Sequence, residues 1–118
     1  MEDVFAALAR LRAPLAQGEY DLHRLVAQAL EAAGIPYRHE APVGKGRRID
    51  FLCGDVGIEI KRGRPAPGRL AAQLAGYLES PAVAGVILVA ERTARLPAQL
   101  GGKPVKLLSL NRLWGIAL

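Results

Sequence analysis

Two acids and a lysine stand on a segment that otherwise wants to be buried. They are Asp50 and, after eight intervening residues, Glu59-Ile60-Lys61, within Arg48-Ile49-Asp50-Phe51-Leu52-Cys53-Gly54-Asp55-Val56-Gly57-Ile58-Glu59-Ile60-Lys61. Val56, Ile58 and Ile60 alternate with Gly57, Glu59 and Lys61, so a strand here presents Glu59 and Lys61 on one face. Gly54-Asp55 suits a two-residue primed turn, which pairs Cys53 with Val56, Leu52 with Gly57, Phe51 with Ile58, and sets Asp50 opposite Glu59. Cross-strand Cβ atoms lie about 5 Å apart, and two carboxylates at that range repel unless something neutralises them. A divalent cation would do so, and so would Lys61 bridging both acids on a solvated hairpin face. The flanks weigh against a solvated face. Ile49 and Phe51 with Ile58 and Ile60 make one side apolar, and Leu52 and Gly57 imply cover on the other, where unpaired charge is costly.

Secondary structure must position these groups. Val4, Phe5, Leu8 and Leu11 predict a first helix over residues 3–13. Leu22, Leu25, Val26, Ala29 and Leu30 predict an amphipathic helix over 19–33 that Gly34 closes. Glu19 falls in line with Leu22, Val26 and Leu30, at the edge of the buried stripe, and His23 points the same way. A strand over 35–43, the Gly44-Lys45-Gly46 loop and the hairpin of 48–61 give three antiparallel strands. Leu70, Leu74, Tyr77 and Leu78 predict a helix over 69–79 ended by Pro81. Val86-Ile87-Leu88-Val89 reads as a central strand buried on both faces. Beyond it, the pattern predicts a short helix over 95–100, a last strand over 105–110 and a tail packing Leu113, Trp114 and Ile116. The expected fold is α/β, a mixed central sheet flanked by helices, in a single domain over 1–118.

The chain has 118 residues, 51% of them hydrophobic, enough to bury a core of one domain. Its formal charge is +5, and seven of its 16 basic residues lie between Lys45 and Arg69: Lys45, Arg47, Arg48, Lys61, Arg62, Arg64 and Arg69. Only Asp50, Asp55 and Glu59 oppose them there, so the positive excess surrounds the acidic pair and suits a polyanionic partner. The single cysteine, Cys53, excludes an internal disulfide and a cysteine-based zinc site, and reads as a small core residue. No apolar run approaches the roughly 18 residues of a membrane span, and Glu2 and Asp3 stand where a signal peptide carries positive charge. A cytoplasmic location and no membrane partner are expected.

Asp50, then Glu59-Ile60-Lys61, fits the pattern Asp-Xn-(Asp/Glu)-X-Lys. Over about residues 19–110 the chain resembles the PD-(D/E)XK nuclease superfamily, including archaeal-type Holliday junction resolvases and recombination-type nuclease cores. Glu19 matches an acid often found there on the helix before the sheet, and Gln73, Leu74 and Tyr77 resemble a Gln-Leu-X-X-Tyr helix. Ile49 stands where the superfamily name has a proline, and residues 1–17 form a helical extension without a counterpart. The resemblance implies a restriction-endonuclease-like α-β-β-β-α-β core. It implies Mg²⁺ or Mn²⁺ held by Asp50, Glu59 and the carbonyl of Ile60, with Glu19 completing the first or second shell around the ion, Lys61 orienting or activating the attacking water, and Gln73 among the catalytic residues. Hard oxygen donors suit such an ion, which commonly bridges one or two carboxylates to a phosphate.

Each group also has an ordinary alternative. Glu19 is a favourable acid in a first helical turn, Gln73 a surface residue, and Tyr77 a packed ring with one hydrogen bond. His23 reads as a structural partner rather than a ligand, and Glu40 as a solvated edge residue. Lys45, Arg47, Arg48, Arg62, Arg64 and Arg69 are a solvated loop in most proteins, but phosphate clamps beside a nuclease site, with Tyr77 at its edge. The expected activity is metal-dependent endonucleolytic cleavage of DNA, with branched or single-stranded substrates and a place in recombination, repair or a phage. The alternative is a nucleic-acid-binding or assembly module that no longer cuts. A homodimer is expected, through the apolar face of residues 4–11 or the tail near Trp114.

Overall fold

The computed structural model of the protein describes residues 1–11, 19–44, 46–63 and 66–113, with the backbone alone at 19–21, 67, 112 and 113. In chain order the elements are α1 (Glu2–Leu8), α2 (Glu19–Ala32), β1 (Arg38–Gly44), β2 (Arg47–Cys53), β3 (Val56–Lys61), α3 (Pro67–Leu78), β4 (Gly85–Ala90), β5 (Gln99–Leu100), β6 (Lys103–Ser109) and α4 (Leu110–Leu113). The strands form one mixed sheet in the order β1-β2-β3-β4-β6-β5. β1, β2 and β3 run antiparallel, β3, β4 and β6 parallel, and β5 returns antiparallel to β6. The fold is therefore α/β with helices on both sides of a mixed sheet.

Each side of the sheet carries its own core. Val4, Leu8 and Leu11 with Leu22, Val26 and Leu30 of α2 pack on Phe51, Ile58, Ile60, Ile87 and Val89. Leu70, Leu74, Tyr77 and Leu78 of α3 pack on Ile49, Leu52, Val86, Leu88 and Ala90. Every residue of β4 is buried, because alternate side chains of this central strand enter opposite cores. The apolar face offered by residues 4–11 for a dimer is spent in the subunit's own core. Trp114 lies outside the described residues.

Local chemistry explains most boundaries. Gly34, with φ of +71°, ends α2 as a left-handed cap, and Ile35 N–H returns to Leu30 O at 2.9 Å. α3 starts at Pro67, two residues before the apolar periodicity places it, because proline fits the first helical turn, where its missing N–H costs nothing. The first strand begins at Arg38 rather than at residue 35, since Ile35 and Pro36 follow directly from the cap of α2. Residues 95–100 are not helical: 95–98 are irregular, and Gln99–Leu100 pair with β6 across the turn at Gly101 and Gly102, whose φ values are +58° and +79°. Two short apolar positions, Leu96 and Leu100, pack on the α3 core without a helix between them.

Candidate active site

The β2–β3 hairpin forms with the expected register from Cys53↔Val56 through Leu52↔Gly57 to Phe51↔Ile58. There the ladder stops, so Asp50 and Glu59 are not a ladder pair as the register alone predicts. Their carboxylates instead take the main-chain donors of the opening fork. Asp50 N–H donates to Glu59 Oε1 at 3.3 Å, and Ile60 N–H donates to Asp50 Oδ2 at 2.8 Å.

The fork coincides with a change of face. His39 stacks on Phe51 on the α2 side, with ring centroids 4.6 Å apart, yet Ala41 and Ile49, two residues along each strand, belong to the α3 core. In regular strands all four would share one face, so the expectation that Ile49 and Phe51 do so is corrected here. Glu40, exposed and midway between His39 and Ala41, adopts a left-handed φ of +52° that breaks the alternation. Gly57 receives the displaced side chain: a Cβ there would stand 2.4 Å from Ile49 Cδ1.

The acids consequently reach in different directions. Asp50 Oδ2 lies 3.8 Å from His23 Nε2 on α2. Glu59, 4% exposed, points at α3, where its Oε2 accepts from Gln73 Nε2 at 3.2 Å and lies 3.2 Å from the Tyr77 hydroxyl. Lys61 Nζ stands 3.6 Å from the same oxygen. Gln73 and Tyr77, four apart on α3, are joined at 3.0 Å, and the Tyr77 hydroxyl is also 3.3 Å from Arg48 O. That hydroxyl has one proton for two acceptors, so the network is shared rather than saturated. Burial first, then the charge of Asp50, pushes the Glu59 carboxyl up to about 7, with Lys61 opposing. Burial and Glu59 likewise push the Tyr77 hydroxyl above its ordinary value.

A groove of about 760 Å³ opens over this network, lined by Arg47, Arg48, Lys61, Arg69, Gln73 and Tyr77 together with Gly46 and Ala72. Arg47, Arg48, Lys61 and Arg69 surround it with positive charge, and no acid is among the described residues that line it. Arg47 is also placed by α3. A Cβ on Gly76 would lie 2.6 Å from Arg47 Nε and 3.0 Å from Cζ, so the guanidinium crosses the helix where only glycine leaves room. Glycine inside a helix costs about 1 kcal/mol relative to alanine, a sequence signal of close approach that apolar periodicity passes over.

The structure thus brings together Asp50, Glu59, Lys61, Gln73 and Tyr77, and lines the adjoining groove with Arg47, Arg48 and Arg69. Arg62 instead sits by Glu91, Nη2 to Oε2 3.7 Å. Glu19 opens α2, and its side chain, like Lys45 and Arg64, lies outside the described residues. Sequence reasoning missed Gly76 and His39. His39 carries no signal in isolation, an exposed residue on a strand whose core positions are Ala41 and Val43.

No group of three or more His, Cys, Asp or Glu side chains is arranged for a metal among the described residues. Two carboxylates and a carbonyl are nonetheless a sufficient protein share for Mg²⁺, which keeps waters in its remaining positions. A carboxylate pair in which burial and Asp50 push Glu59 up to about 7 is a place where added positive charge is favourable. Asp50, Glu59 and the Ile60 carbonyl are hard oxygen donors, the chemistry that a divalent cation of this kind takes. No protein-family model, curated protein or solved structure matches this chain.

Proposed function

We propose that the protein is a metal-dependent endonuclease of the PD-(D/E)XK kind, with a restriction-endonuclease-like core, that hydrolyses DNA phosphodiester bonds. The observation that carries this reading is the junction of an acid-acid-lysine cluster with a basic groove: Lys61 touches Glu59 at 3.6 Å and also lines the groove. Asp50, Glu59 and the Ile60 carbonyl would hold Mg²⁺ or Mn²⁺, with Glu19 at the start of α2 as a further candidate. When bound, the ion would supply charge stabilisation to the phosphoryl oxygens.

The chain's own groups have definable parts. Arg47, Arg48 and Arg69 bind the phosphate backbone, a sequence-independent attraction that weakens with salt. Gln73 and Tyr77 hold the Glu59 carboxylate in place. Lys61 orients the attacking water and balances charge beside it. Hydrolysis forms one P–O bond from water and breaks one ester P–O bond, releasing a phosphate monoester end and a hydroxyl end.

The test is a panel of branched, single-stranded and duplex DNA with Mg²⁺ or Mn²⁺. Cleavage by the wild type that Asp50→Ala and Lys61→Ala abolish is the expected outcome. Intact substrates with both metals would overturn the reading.

One observation favours a second reading, a binding module that does not cut. The acids hold the fork of the hairpin, Asp50 through Ile60 N–H and Glu59 through Asp50 N–H, a purely structural use. Calorimetric titration with Mn²⁺ separates the two: the module predicts no Mn²⁺ binding and DNA affinity unchanged by Asp50→Ala.

A further inference from the structure

On the α2 side of the sheet a second concavity, about 190 Å³, is lined by His23, Arg24, Ala27, Tyr37, His39 and Phe51. The concavity is small, on the scale of one planar ring rather than of a base pair. Its walls are rings fixed in place. His39 stacks on Phe51 at 4.6 Å and 22°, and Tyr37 meets Phe51 edge-on at 5.5 Å. His23 Nδ1 and His39 Nε2 share a hydrogen bond at 2.8 Å, and the Tyr37 hydroxyl donates to Glu31 Oε2. Phe51 is fully buried as the base of this arrangement, whereas His39 is exposed.

The position of the pocket gives it meaning. His23, one of its walls, stands 3.8 Å from Asp50, while Lys61, bonded to the other acid, lines the basic groove. The acidic fork therefore lies between a cationic channel and an aromatic recess. We infer that the pocket of His23, Tyr37 and His39 receives one unpaired base of the DNA strand whose phosphates lie in the basic groove, making single-stranded or frayed DNA the preferred substrate class. The inference rests on the nucleic-acid reading above. Every base has a π-face, so aromatic recesses accept unstacked bases with little sequence preference, at about 1–3 kcal/mol per base. A base within a duplex is stacked and paired and gains nothing from the recess.

The experiment is fluorescence anisotropy of the full chain, without divalent cation, on a labelled single strand, the same strand with abasic sites, and its duplex. The wild type should bind the single strand about tenfold more tightly than the abasic strand. His39→Ala should lose that advantage while keeping its duplex affinity, which also reports that the variant is folded. His39→Phe, which keeps a ring over Phe51, should restore it. Equal affinity of wild type for intact and abasic strands, or a His39→Ala protein that keeps the preference, overturns the pocket and leaves the nuclease reading standing. Base preference without cleavage in the metal panel leaves the pocket and overturns the nuclease. A wild type that binds none of the three DNAs overturns both.

Discussion

The guanidinium of Arg47 lies across Gly76 so closely that a β-carbon on that glycine would stand 2.6 Å from Nε. Gly76→Ala removes that seat. Alanine also gains about 1 kcal/mol of helix propensity, and the displaced group is the far end of a long side chain. The variant should therefore melt no lower than wild type yet bind DNA as weakly as Arg47→Ala. Thermal melts and anisotropy titrations check the two halves, and unchanged DNA affinity would show that the crossing places nothing of use.

The Glu59 carboxyl, raised from its ordinary 4.5 to about 7 by burial and Asp50, makes stability depend on pH. Between those values the folded protein keeps a proton that the unfolded chain has released, so stability falls as pH rises through this window. The contribution, fully present below about 4.5, is lost above about 7. Glu59→Gln should abolish this decline and make the metal-free protein more stable above pH 7, by at most about 3 kcal/mol. Urea titrations at pH 4.5, 6 and 8 measure it. Parallel pH profiles for both proteins would contradict the assignment.

Tyr77→Phe keeps the ring of a buried residue and deletes the hydroxyl that steadies the charged form of Glu59. Stability should fall by about 1 kcal/mol. The Glu59 titration should move further up, so that the pH at which Mn²⁺ affinity rises shifts in the alkaline direction. Calorimetry across a pH series is the readout, and an acid shift would be the wrong sign.

Lys103 closes the end of α3. Its Nζ donates to Leu78 O at 2.8 Å, Ser80 O at 3.1 Å and Val83 O at 2.7 Å, tying the α3–β4 turn to β6. Lys103→Met leaves those carbonyls without their cation and should cost about 2 kcal/mol. Lys103→Arg should recover only part, because a planar fork does not converge on three acceptors as an ammonium does. Denaturant midpoints of the two variants test the ranking.

The sharpest substitution in the core is Gly57→Ala, whose Cβ would stand 2.4 Å from Ile49 Cδ1. With Ile49 fully buried, overpacking should cost about 1–3 kcal/mol. Ile49→Val removes the offending carbon, so the double variant should be more stable than Gly57→Ala alone. A strictly additive double-mutant cycle would refute the contact.

Much of this was legible residue by residue. Alternation in Val56–Lys61 and the Gly54-Asp55 turn determined the hairpin and three rungs of its register, because strand periodicity and turn geometry are local properties. The Val86–Val89 run likewise announced a strand covered on both faces. Helical spacing put Gln73 and Tyr77 on one side of α3, and composition placed basic residues around the acids. Only the tertiary structure decided how these pieces meet. It stopped the ladder at Phe51↔Ile58, put Ile49 and Phe51 of one strand into opposite cores, gave Glu40 of the neighbouring strand a left-handed backbone, and set Gly76 beneath Arg47. It also turned 95–100 away from the helix that Leu96 and Leu100 suggest, since pairing with β6 satisfies the backbone of 99–100 instead. Periodicity reports which residues seek burial. Which partner buries them, and which backbone donors a carboxylate claims, depends on segments far apart in the chain that approach only after folding.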